Sequence, residues 1–95
     1  MRIVWSAESV EDLAALRAFI AADSPAAAKK MIRRIAETVE TLLPQNPEIG
    51  RRGRAPRTRE LIIAHTPFVL GYRVHGETTE ILRVLHGARR WPDRL

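Results

Sequence analysis

Cysteine is absent, so neither a disulfide framework nor a thiolate metal site is open to this sequence. Aromatic residues are scarce, with two Trp, two Phe and one Tyr in 95 residues. That argues against a surface that grips single-stranded nucleic acid by stacking bases on rings. Apolar runs are short; none approaches the roughly 20 residues of a membrane-spanning helix. Met1-Arg2-Ile3-Val4-Trp5 leads straight into a helical pattern, so no secretory signal is read and a cytoplasmic location is expected. Lysine is also rare: fourteen of the sixteen basic residues are Arg.

What is present suits one compact unit, residues 1–95. Hydrophobic residues make up 45% and charged residues 28%, enough apolar content to argue against disorder. The formal charge is +5. A basic domain of this size suggests a nucleic acid, a ribosome or an acidic protein as partner. Arginine-rich composition alone also follows from codon bias. Clustering does not, and five Arg fall between Arg51 and Arg59.

The order of elements reads β-α-α-β-β-β. Arg2 to Trp5 is a short β-branched strand. Ser6 or Ser9 can cap a helix to Ala22 that carries Val10, Leu13, Leu16, Phe19 and Ile20. Ser24 caps a second helix, with Pro25 at its first position and Pro44 as its stop after Leu43. Its stripe is Ala28, Ile32, Ile35, Val39 and Leu42. Helices so closely joined form an antiparallel hairpin, and a sheet is the partner their stripes require. Gln45 to Arg57 reads as a loop, and strands follow at Thr58–Ala64, Pro67–His75 and Thr78–His86. Gly76 supplies the turn between the last two strands.

Centring that turn on Gly76-Glu77 pairs Tyr72 with Ile81, Leu70 with Arg83 and Phe68 with Leu85 on one face. Arg73 then meets Glu80, Gly71 meets Leu82 and Val69 meets Val84 on the other. Both faces are apolar, whereas two helices cover only one. The C-terminal tail, a second copy or a partner protein must cover the second, unless its apolar residues are scattered surface positions.

Several groupings could carry chemistry. Arg51, Arg52, Arg54, Arg57 and Arg59 could neutralise phosphates or grip acidic residues, or form a solvated basic loop. His86, with Arg89 and Arg90 close behind, could supply acid–base catalysis and phosphate binding, or simply end a strand. Arg83 either snorkels to the sheet edge or meets a carboxylate. Trp91 is a lid over the sheet or a partner anchor. No His or carboxylate pair has metal-ligand spacing, and no cofactor motif is present, so neither a metal nor a cofactor is expected.

Gly71-Tyr72-Arg73-Val74 and Glu80-Ile81-Leu82-Arg83-Val84-Leu85-His86-Gly87-Ala88-Arg89-Arg90-Trp91-Pro92 together resemble the C-terminal signature of the ParE/RelE toxin superfamily. Pro47-Glu48-Ile49-Gly50-Arg51 and Thr58-Arg59-Glu60-Leu61 resemble its loop and second-strand pattern. The resemblance implies an α+β fold, a helical hairpin on a twisted antiparallel sheet. It implies a toxin of a type II toxin–antitoxin pair, bound in a hetero-oligomer by a cognate ParD/RelB-like antitoxin that alone contacts promoter DNA. The antitoxin or target would meet Arg51, Arg52, Arg54, Arg57, Arg59, Arg83, Arg89, Arg90 and Trp91. The target is DNA gyrase for ParE-like members and ribosome-bound mRNA for RelE-like ones. RelE-type cleavage places an Arg three residues before the middle-strand Tyr, and Val69 stands there. The resemblance therefore leans towards ParE-like gyrase inhibition. A RelE-like endoribonuclease using His86, Arg89 and Arg90 is the alternative.

Overall fold

In the computed structural model, residues 1–92 and 95 are described; Asp93 and Arg94 of the tail lie outside the described residues. Strand β1 (Arg2–Trp5) leads into helix α1 (Ala7–Ala21) and helix α2 (Pro25–Glu37). Strands β2 (Arg51–Arg52), β3 (Arg59–Ile62), β4 (Phe68–His75) and β5 (Thr78–His86) complete one sheet, ordered β1-β5-β4-β3-β2. The expected order of elements therefore stands, with two additions. The stretch read as a loop holds the short strand β2, paired antiparallel to β3. And β1 pairs parallel to β5, so the sheet is mixed. The helical hairpin provides the long crossover that a parallel ladder requires.

Local chemistry starts both helices. Ser6 caps α1, its hydroxyl accepting from the Ser9 amide, while Ser9 is buried and donates back to the Ser6 carbonyl. Ser24 caps α2 with Pro25 at its first position, as the sequence predicts. Pro44 does not stop the helix. The chain continues through a π-helical segment, Thr38–Leu42, into a last turn, Leu43–Gln45. Proline lacks the amide that an α-helix needs and crowds the carbonyl four residues back. Widening the register just before Pro44, with the Leu43 amide bonded to the Thr38 carbonyl, accommodates it.

Leu16, Ile35, Val39, Leu43, Ile63, Leu70, Tyr72, Ile81 and Val84 form the main core between helices and sheet. Leu13 and Ile20 pack on it from α1, but Phe19 is 81% exposed and Val10 is 54% exposed. Phe19 precedes Ile20 and so points about 100° away from it around the helix.

The β4–β5 register follows the expected pairing from the turn as far as Tyr72 opposite Ile81. Beyond it a bulge leaves Leu82 without a partner, so Gly71 faces Arg83, Leu70 faces Val84 and Val69 faces Leu85. This corrects the simple alternation. The extra residue brings Val84 into the main core and Leu85 to the opposite face, and spares Leu70 a charged partner.

Candidate functional site: a basic groove beside a latched C-terminal tail

The chain itself covers the middle of the sheet's second face, while Val4 and Ile62 on the same face stay 36% and 57% exposed. Val69, Leu85 and Trp91 form a second apolar cluster, with Leu95 against it. Gly71 makes room for this lid. A Cβ there would lie 3.0 Å from the Trp91 ring and 3.3 Å from the Leu95 side chain. Trp91 is therefore seated as a lid, 7% exposed, rather than offered as a free anchor.

Arg54 holds the lid down. Its guanidinium carbon sits 4.7 Å from the Trp91 ring centroid, a cation–π contact. Its Nη2 donates to the Gly87 carbonyl at 3.4 Å. Glu60 positions Arg54 in turn. One carboxylate oxygen accepts from the Arg54 amide at 2.8 Å, and the other accepts from Arg54 Nε at 3.2 Å and Arg51 Nη2 at 3.4 Å. The Glu60 side chain is only 2% exposed, and its burial is made tolerable by these donors.

The remaining arginines of the cluster divide by partner. Arg59 donates to the Gly50 carbonyl at 2.8 Å and to Glu48 at 3.3 Å. Arg73 meets Glu80 at 3.0 Å, the expected cross-strand pair. Arg52 and Arg57 are exposed, and neither has an ion pair among the described residues. Arg52, Arg54, Arg57, Arg59 and Arg73 line one open groove of about 1090 Å³, with Glu48 its only acidic wall residue among the described residues.

The loop that builds this groove is tied down at several points. The Gly53 amide donates to the Thr58 carbonyl at 2.8 Å, and Thr58 Oγ1 donates to the Ala55 carbonyl at 2.7 Å. Upstream, the Tyr72 hydroxyl accepts from the Gly50 amide at 2.9 Å and donates to the Pro47 carbonyl at 2.8 Å. Burial pushes the Tyr72 phenol above its ordinary value, only partly opposed by the Gly50 hydrogen bond and the nearby Arg59 charge.

Arg83 lies elsewhere, at the edge of β5 that β1 leaves open beyond Trp5. Asp12 of α1 approaches that edge and accepts from Arg83 Nε at 2.8 Å, from Arg83 Nη2 at 3.0 Å and from the Val84 amide at 3.0 Å. The Asp12 hydrogen bonds raise the Arg83 pKa further and hold it charged. Of the two readings of Arg83, the one that meets a carboxylate matches this geometry.

His86, Arg89 and Arg90 are exposed where β5 ends. The His86 ring meets Phe68 edge-on at 5.8 Å, and its Nδ1 accepts from the Ala88 amide at 3.0 Å. Arg89 and Arg90 border a shallow depression beside Trp91 and Pro92. Among the described residues, no group of three or more His, Asp or Glu could hold a metal ion. No described helix is long and apolar enough to cross a membrane.

A family model described as the ParE toxin of the type II toxin–antitoxin system parDE matches residues 3–91. The chain belongs to the ParE toxin family. It is 37% identical over 94 residues to the Y4kP protein of Sinorhizobium fredii, spanning 99% of this chain and 96% of that one. It is 36% identical over 88 residues to the toxin RelE2 of Caulobacter vibrioides, spanning 93% and 97% of the two chains. A solved structure of the chromosomal ParDE toxin–antitoxin system from P. aeruginosa superposes with a TM-score of 0.79 at 30% identity, covering 90% of this chain and 95% of that one. Family membership implies a cognate antitoxin as partner of this ParE-family toxin.

Glu60 and Gly71 organise the site, and Asp12 holds Arg83 away from it, although none was singled out from the sequence as a functional residue. Glu60 is the first carboxylate after the five arginines from Arg51 to Arg59, which is the one signal that could have marked it. Asp12 and Gly71 act through contacts distant in sequence, so nothing local reveals them.

Proposed function

We propose that this ParE-family toxin acts by protein contact. A cognate antitoxin neutralises it in a cytoplasmic hetero-oligomer, and the free toxin inhibits DNA gyrase. The observation that carries this reading is Val69. It stands where a RelE-type cleavage site would have an Arg, is 4% exposed, and packs against Leu85 and Trp91. Loss of one preorganised charge-stabilising donor costs about 10²–10³ in rate.

A RelE-like, ribosome-dependent mRNA endoribonuclease is the second reading. It draws on the exposure of His86, Arg89 and Arg90 at one end of the sheet. Pulse expression of the toxin without antitoxin separates the two. Gyrase inhibition produces double-strand breaks and an SOS response while translation continues at first. Immediate arrest of translation with codon-located mRNA cuts would overturn it. The double variant His86→Ala, Arg90→Ala is expected to remain toxic.

A further inference from the structure

We propose that Met1 is a modification site, a thioether that peroxides oxidise to the sulfoxide and whose oxidation loosens strand β1. The inference goes beyond the target of the toxin and does not depend on it. Thr79 of β5 carries the argument. Its side chain is fully buried, and its hydroxyl donates to the Met1 sulfur at 2.9 Å, the one hydrogen bond that hydroxyl makes among the described residues. A buried hydroxyl needs an acceptor, and most find an oxygen. A thioether is a weak acceptor, so this contact is easily lost.

Met1 is open to reagents as well as structural. It is exposed and borders the basic groove beside Arg73, Val74 and Gly76. Met31, the other methionine of the chain, is partly buried against the main core. Strand β1 is an edge strand of four residues, paired to β5 alone, with Met1 just before it. The bond from the Arg2 amide to the Glu77 carbonyl, at 2.8 Å, is made by the residue next to Met1.

In the oxidation a sulfur lone pair attacks one peroxide oxygen and the O–O bond breaks. The sulfur gives up two electrons, and the peroxide's other oxygen leaves as water. The sulfoxide is polar and strongly hydrated where the thioether was apolar. On the Thr79 side, a gap of 2.9 Å has no room for the added oxygen. On the other side, that oxygen draws the side chain towards water. Either way the Thr79 hydroxyl stays buried and loses its acceptor, and the start of β1 loses its anchor.

The test treats the purified full chain with dilute hydrogen peroxide and follows intact mass, peptide maps and melting temperature. The N-terminal peptide should gain oxygen before the peptide that holds Met31. Met31→Leu leaves Met1 as the sole thioether at nearly constant core volume. In that variant, uptake of one oxygen atom should lower the melting temperature by roughly 4–8 °C. Methionine sulfoxide reductase should restore it. With Thr79→Val added, the donor is gone, and oxidation should leave the melting temperature nearly unchanged. Thr79→Ser keeps the hydroxyl and should keep the fall. The proposal is overturned if Met31 oxidises first, if Met1 sulfoxide leaves the melting temperature where it was, or if the Thr79→Val protein loses as much on oxidation as its parent.

Discussion

Tyr72 shows how much one side chain can organise. It is fully buried, and its hydroxyl ties the Pro47–Gly50 segment to the middle of the sheet. Tyr72→Phe would leave a buried amide and a carbonyl without their partner, at a cost of about 1–3 kcal/mol measured by denaturant unfolding. The phenol also sets an alkaline limit. Its folded pKa is raised above 10.0, so above pH 10 the unfolded chain sheds a proton that the folded chain keeps. Stability from this group is therefore level below pH 10 and falls as pH rises beyond it. Tyr72 is the sole tyrosine, so phenolate absorbance reports it alone. The absorbance should appear later than for free tyrosine; a titration at the ordinary value with the fold intact would contradict the buried hydrogen-bonded phenol.

At the scale of elements, the join between α1 and β5 depends on a handover. Strand β1 pairs with β5 only as far as Trp5 opposite Ile81. Ser6 then donates to the Leu82 carbonyl, and Asp12 accepts from the Val84 amide and from Arg83. Helix side chains thus satisfy the strand edge that a longer β1 would have covered. Removing either half of the Asp12–Arg83 pair leaves a largely buried charge. Asp12→Ala and Arg83→Ala should each cost about 2–3 kcal/mol, with a double-mutant cycle showing strong coupling. Independent, additive effects would refute the handover. The helices, their serine caps and the β4–β5 turn were legible because each depends on neighbours in sequence. The bulge was harder to read, although Ile81 with Val84 and Leu82 with Leu85 repeat at a spacing of three, where a regular strand repeats at two. Strand β2 escaped notice because its two exposed arginines carry no apolar alternation.

For the whole molecule, the open question posed by the sequence was what covers the second face of the sheet. The tail covers its middle, through Trp91 over Gly71, clamped by Arg54 from Glu60, and leaves Val4 and Ile62 exposed. In a Trp5→Phe background, Gly71→Val should lift Trp91 from its slot. Its emission should shift to the red and become open to acrylamide quenching, with a lower melting temperature. Unchanged emission would mean that the tail does not depend on the missing side chain. Amino-acid order alone determined the two main helices, the four strands other than β2, the excess of positive charge and the resemblance to ParE toxins, because periodicity, capping and charge are local properties. Only the tertiary structure decided which arginines remain open. Arg83 and Arg54 are absorbed by Asp12 and Glu60, partners separated by intervening chain, whereas Arg52 and Arg57 are left facing the groove. A guanidinium looks the same in a sequence whether or not the fold brings a carboxylate to meet it.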